Sequence, residues 1–218
     1  MKKIFSTRRN RVTKKFWKFV DGNGCSPGSF GVIKYITGET VEVKDANPNE
    51  NIQCASGIHC LDFSDEQYDE HNMVFGPKAA ILEVDEEDII YYGKGGKCRV
   101  KKAKVLEVKE PELWMRTGND NSKWAFDYAL VVVEGHDPDL MEVIIKNKIV
   151  PHAYNYAFYI LGEHNEKLMN IIIDARNAHY AYYYALNVLK GHDEKLMEVV
   201  NKDHFYKKRY AFYILNCI

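Results

Sequence analysis

A chain of 218 residues, 46% apolar and 28% charged, has the make-up of a globular protein with one domain or two small ones. A formal net charge of -1 supplies no general attraction to nucleic acid or to an acidic membrane. No apolar run is long enough to span a bilayer, and no apolar segment follows the basic start "MKKIFSTRRN", which excludes a secretory signal. The five cysteines, at 25, 54, 60, 98 and 217, are odd in number and irregularly spaced. They read as free thiols, and the expected location is the cytoplasm.

In chain order, the first stretch is basic. Lys2, Lys3, Arg8, Arg9, Arg11, Lys14, Lys15 and Lys18 meet no acidic residue before Asp21, which predicts a solvated leader over residues 1–15. Residues 16–112 then alternate and carry Gly, Pro and Asn. "VIKYITGETVEV" reads as two short strands around Thr37 and Gly38, with Val41 and Val43 on one face. "DANPNEN" is a turn cluster, and "SGIHCLDF" is the next strand. Ser64 and Gln67 stand at capping-box spacing, so a short helix should begin at Ser64. "AAILEV" alternates again, and "YYGKGGKCRVKKAKVLEV" supplies a Gly-rich turn and a last strand. Strands broken by one short helix predict an α+β head with a small mixed sheet.

From residue 113 the pattern changes. Tyr128-Ala129, Tyr156-Ala157 and Tyr184-Ala185 step by 28 residues, as do Leu140-Met141, Leu168-Met169 and Leu196-Met197 and the histidines His136, His164 and His192. Ala153, Ala157, Ile160 and Leu161 share one helical face. Gly135 and Gly191 suit left-handed helix ends. Asp137, Asn165 and Asp193 suit the N-caps of the next helices, and Pro138 suits a first helical turn. The expectation for residues 113–218 is therefore an α-solenoid of helical hairpins with a 28-residue period. Its final helix, "KKRYAFYILNCI", resumes two residues early and has no following partner helix.

Few residues suggest chemistry. Cys54, His59 and Cys60 crowd into seven positions, but their spacing is not that of a zinc knuckle. His59 and Cys60 are adjacent and so point to opposite faces of a strand. No metal is expected. Ile58 and Cys60 should face a core, while His59 on the other face could line a cleft. "GKGGKCRV" lacks the Ser/Thr and the helix of a phosphate loop. Lys97, Arg99 and Lys101 alternate with Cys98 and Val100, giving one basic strand face that could meet RNA or DNA. The tyrosines outside the periodic core, Tyr154, Tyr159, Tyr180, Tyr183 and Tyr213, are candidate partner contacts, since tyrosine is enriched at binding surfaces.

"IKYITGETVEV", "CASGIHC", "AAILEVDEEDIIYY" and "KCRVKKAKVLEV" together resemble an uncharacterised domain family of phages, large DNA viruses and some bacteria, over about residues 16–108. That resemblance implies no activity. The helical part is similar to viral α-helical repeats in general. A fainter likeness is to the split sheet of small ADP-ribosyltransferases. It implies that His59 holds the ribose of NAD, with Tyr68 or Tyr91 and Glu83 contributing. No Glu-x-Glu or Ser-Thr-Ser element accompanies it.

The leading expectation is a non-enzymatic, phage- or virus-derived interaction module that binds a protein partner, or itself, through the helical part and its terminal helix. One alternative is an NAD-dependent ADP-ribosyltransferase-like enzyme in the head. A second is a nucleic-acid binder using the basic leader and the Lys97–Lys104 strand. NAD is the only cofactor expected, and only under the transferase reading.

Overall fold

Strand β1 (Thr13–Val20) forms where the basic stretch gives way to "FWKFV", in the computed structural model, which describes residues 12–26, 32–49, 51–52, 55–63 and 75–215. The chain divides into two units, Met1–Pro111 and Glu112–Ile218. In the first unit β1 pairs along its whole length with β6 (Lys78–Asp85), from Thr13 opposite Asp85 to Val20 opposite Lys78. On its other side it pairs with β5 (Ile58–Asp62) at Phe16 and Trp17. With β4 (Thr40–Glu42), β7 (Ile89–Tyr92), β8 (Lys97–Val100) and β9 (Lys102–Lys109), these strands make one seven-stranded sheet in the order β4-β9-β6-β1-β5-β8-β7. Every pairing is antiparallel, so the expected mixed sheet is corrected. A separate ribbon joins β2 (Cys25–Ser26) to β3 (Ile33–Lys34).

Strand β1 thus begins inside the stretch read as a leader. Phe16, Trp17, Phe19 and Val20 are all buried, because a central strand covered on both faces becomes apolar on both. One face of the sheet carries Phe16, Val20, Ile58, Cys60, Leu82, Val84, Cys98, Val100 and Val105 in a single core cluster. Ile58 and Cys60 therefore face the core as the alternation requires, and Val41 is buried with them. The helix expected at Ser64 lies outside the described residues.

In the second unit the described residues form eight α-helices: α1 (Leu113–Thr117), α2 (Ser122–Tyr128), α3 (Pro138–Asn147), α4 (Val150–Asn155), α5 (Glu166–Asp174), α6 (Ala178–Tyr183), α7 (Glu194–Val200) and α8 (His204–Tyr210). The expected solenoid of 28-residue helical hairpins is corrected by this arrangement. After the antiparallel sheet the described chain forms eight short helices in succession. The face built on Ala153, Ala157, Ile160 and Leu161 does not make one α-helix, because α4 widens at Tyr156 into a π-helical segment, Tyr156–Leu161. Comparable π-helical segments extend α2, α6 and α8, at Ala129–Val133, Tyr184–Leu189 and Ala211–Leu215.

The wider turns also move the helix ends. The left-handed residue is Glu134 or Lys190, each one position before the expected glycine, and only Gly162 places a glycine there. The N-caps fall where expected. Asp137 accepts from the backbone N–H groups of Asp139 and Leu140, Asn165 from that of Leu168, and Asp193 from that of Leu196.

One contact recurs three times and fixes these turns. The Tyr156 hydroxyl accepts from the Asp137 N–H and donates to the Asp137 carbonyl. Tyr184 does the same at Asn165, and Tyr210 at Asp193. Each hydroxyl also meets the Nδ1 of the preceding histidine, His136, His164 or His192, at 3.2–3.3 Å. The single hydroxyl hydrogen is already committed to the carbonyl, so the imidazole must be the donor, with its proton on Nδ1. Tyr184→Phe strips the Asn165 N–H and carbonyl of one shared buried partner. It should lower the stability of the intact chain by about 1–3 kcal/mol, read as a lower urea midpoint.

Candidate functional site

Among the described residues the most exposed aromatic side chains lie in the second unit. Tyr159 is 60% exposed, Phe205 58% and Phe212 63%. They belong to a continuous run of rings. Phe126 touches Tyr159, Tyr159 touches Phe158, and Phe158 stacks on Tyr154. Tyr154 meets Tyr180, Tyr180 meets His179, and His179 meets Tyr183. The run continues through Tyr182 and Tyr206 to Phe205, with centroids 4.8–6.4 Å apart throughout. Most of these pairs are edge-to-face or tilted, the arrangement ring quadrupoles favour. The Arg209 guanidinium lies over Tyr182, Phe205 and Tyr213 at 5.3–5.9 Å and joins Tyr213 and its neighbour Phe212 to the same surface.

All five tyrosines singled out from the sequence therefore belong to one connected surface. Tyr159 and Tyr213 are exposed, and Tyr154, Tyr180 and Tyr183 are partly buried. The tyrosines of the periodic pattern, Tyr128, Tyr156, Tyr184 and Tyr210, are buried instead. Sequence reading missed His179, Phe158, Phe205, Phe212 and Arg209. Their signal was available: Phe158 stands four residues after Tyr154, and Arg209 four after Phe205, so each pair meets on one helical face. Burial raises the pKa of Tyr154, so its hydroxyl stays neutral near pH 7, whereas Tyr182, also raised, is buried beneath the exposed rings. The His179 Nδ1 and the Tyr206 hydroxyl are hydrogen-bonded at 2.5 Å.

The candidates of the first unit are not gathered in one place. His59 on β5 lies opposite Arg99 on β8, and Arg99 lies opposite Tyr91 on β7, so His59 and Tyr91 flank Arg99 in one row. The row is filled by Arg99 itself, which is completely buried. Its Nη1 donates to the carbonyls of Asn47 and Ser56 at 2.5 and 3.1 Å, and its Nη2 to that of Asn49 at 2.6 Å. Gly57 makes this path. It adopts φ +152°, and a Cβ there would lie 2.7 Å from Arg99 Cγ. The Gly-Ile-His and Lys-Cys-Arg-Val elements are thus two halves of one contact. Arg99 ties the 47–56 loop to the sheet and offers no face to a phosphate. Lys97 is partly exposed and Lys101 exposed, so the expected three-residue basic face is reduced to these two.

The His59 Nε2 donates to the Ala55 carbonyl at 2.9 Å. Burial, opposed by that bond, lowers the His59 pKa, so the ring is neutral near pH 7. Glu83 lies elsewhere. It pairs with Lys15, whereas the β1–β5 register, continued from Trp17 opposite Leu61, sets His59 beside Phe19. That separates the two by about 13 Å along the strands and about 10 Å across them. Glu83 lines a cavity of about 390 Å³ with Thr13, Thr40, Asp85, Asp88, Lys102 and Lys104. Burial and the neighbouring Asp85 raise the Asp88 pKa there. Tyr68 lies outside the described residues. The set that the ADP-ribosyltransferase likeness would need is therefore not brought together by His59, Tyr91 and Glu83.

Among the described residues no three His, Cys, Asp or Glu side chains are grouped to hold a metal ion. None of the described helices is long and apolar enough to cross a membrane. The chain matches no family model, no curated protein and no solved structure.

Proposed function

We propose that the protein is a non-enzymatic interaction module whose Glu112–Ile218 unit binds a protein partner across the connected aromatic surface. The observation that supports this most is the unbroken run of rings from Phe126 to Phe205, with exposed members in the helices both early and late in the unit. Tyrosine and phenylalanine lose little side-chain entropy on binding and carry large contact area, which is why interface cores are rich in them. The rings already brace one another, so ordering them adds little further cost to association. Neutral tyrosine hydroxyls add donors, and Arg209 is held by three rings. The matching partner surface is apolar, with backbone or side-chain acceptors at its edge.

The test compares the intact chain with a Tyr159→Ser, Phe205→Ser, Tyr213→Ser variant, whose changed side chains are all exposed and leave the helical signal intact. A protein captured by the wild type should be held at least tenfold more weakly by the variant. It should be held equally by a Lys97→Ala, Lys101→Ala control. A partner retained by the aromatic variant and lost by the lysine control overturns the reading.

A further inference from the structure

Lys18 occupies a position that the alternation of β1 reserves for an apolar side chain. It lies between Phe16 and Val20 on the face that forms the core cluster, and the β1–β5 register sets it beside Cys60. Among the described residues no carboxylate pairs with it. Its Nζ donates instead to Ser26 Oγ at 2.6 Å and lies over the Tyr35 ring at 5.2 Å. Tyr35 is 2% exposed, and its hydroxyl has no hydrogen-bond partner among the described residues. Ser26 lies near enough to ease the burial of that hydroxyl without meeting hydrogen-bond geometry with it. The Lys18 residue as a whole keeps partial exposure, so the amine is covered but not sealed.

We propose that Lys18 is a carbonyl-capturing lysine that forms an imine with a small, uncharged aldehyde, with Ser26 and Tyr35 supplying the hydroxyl groups around the reacting nitrogen. The capture uses only these groups and the aldehyde. The neutral amine adds to the carbonyl carbon, forming the N–C bond as the carbonyl π bond breaks. The oxygen takes a proton, for which the Tyr35 hydroxyl is the buried donor. Nitrogen then gives one proton back to Tyr35, leaving a neutral carbinolamine. Its hydroxyl takes a second proton from Tyr35 and leaves as water while the nitrogen lone pair forms the C=N bond, and the remaining N–H proton restores Tyr35, leaving the imine. One water leaves for each aldehyde bound.

Two environmental effects act in the same direction. Burial lowers the Lys18 pKa to about 8, so a large share of the amine is unprotonated at mildly alkaline pH. Burial pushes the Cys60 thiol up to about 12, which removes the competing thiolate. Burial also raises the Tyr35 hydroxyl, which keeps it protonated through this range though a weaker acid. An uncharged ligand suits this place, because Lys18 stands between Phe16 and Val20 on the core face and against the Tyr35 ring. This site is independent of the aromatic surface of the other unit and needs no protein partner.

The experiment treats the intact chain with propanal and cyanoborohydride between pH 6.5 and 9.5 and maps the reduced adducts by peptide mass spectrometry. At pH 8 an ordinary lysine has roughly a hundredfold less free amine than one with a pKa near 8. Lys18 should therefore be labelled at least tenfold faster than the median lysine, with half-maximal rate near pH 8, and Tyr35→Phe should slow it several-fold. Lys18 labelled no faster than exposed lysines, or with their pH profile, overturns the capture. An unchanged rate in folded Tyr35→Phe overturns the role of that hydroxyl. Lys18→Met removes the adduct and confirms the mapping.

Discussion

Lys18→Met should make the intact chain more stable at pH 7, by about 2 kcal/mol, and should remove an alkaline gain in stability that the wild type shows. The sign is set by the direction of the shift. The Lys18 pKa is about 8 in the folded protein against 10.5 for the free side chain, with burial as its chief cause. Below pH 8 both the folded and the unfolded chain hold the proton, and the full cost of burying the ammonium is present, about 3 kcal/mol. Between pH 8 and 10.5 the unfolded chain binds more protons, so stability rises with pH there.

Neighbouring groups limit the useful window. His59, on the other face of β5, has a pKa lowered by burial and in smaller part by the Lys18 charge, so its own contribution is complete by about pH 7. Cys60, which lies beside Lys18 and feels Asp62, has a raised pKa and erodes stability only above about pH 9. Tyr35 is raised too and acts later still. From pH 7 to 9 the wild type should gain about 1–1.5 kcal/mol in urea denaturation, and Lys18→Met should gain close to none. A methionine variant that is less stable at pH 7, or that keeps the wild-type slope, would show that the ammonium is not the source.

The second large effect is expected at Arg99. Arg99→Met should destabilise the first unit by about 3–5 kcal/mol, because three charge-assisted hydrogen bonds are lost at once, leaving the Ser56 and Asn49 carbonyls only the backbone N–H groups of Asn47 and Ile52. The third acceptor is the carbonyl of Asn47. Arg99→Lys should recover little of the loss. An ammonium is a compact point charge, whereas the planar guanidinium spans acceptors contributed by residues 47, 49 and 56. Hydrogen exchange of the intact chain should show amide protection falling at Asn47, in β5 and in β8 before it falls in β6. Retained protection at Asn47, with a midpoint shift of less than half the expected size, would mean that the loop is held by other contacts. Gly57→Ala tests the same path from the other side, since its Cβ would collide with the arginine stem.

Local pattern determined several elements outright. The alternation of "AAILEV" lies in β6, "IHCLD" makes β5 with Ile58 and Cys60 inward, and the caps at Asp137, Asn165 and Asp193 begin α3, α5 and α7. These come from the two-residue period of a strand and from the hydrogen-bonding reach of a short polar side chain, both of which act within a few residues. The same logic separated buried from surface tyrosines, because the period marked the residues that other helices cover.

Where charge goes was decided by the tertiary structure. Eight basic residues before Asp21 read as a solvated leader, yet Thr13–Val20 is the centre of a seven-stranded sheet. Pairing with β5 and β6, distant in sequence, makes burial of Phe16 and Trp17 outweigh the neighbouring lysines. Arg99 looked like one of three residues on a basic face and is instead buried, because the carbonyls that satisfy it come from a loop some fifty residues earlier. Lys18, just beyond the expected leader, is an amine on the core face. The helical part shows the same division: the caps at Asp137, Asn165 and Asp193 were legible, whereas the Tyr–His contacts came from the fold. The π-helical segments, the shift of the left-handed ends to Glu134 and Lys190, and the antiparallel sheet preceding eight short helices arose only from how the folded chain packs. A sequence states local preference and period, whereas the environment of a charged side chain is a sum over neighbours that only the folded chain brings together.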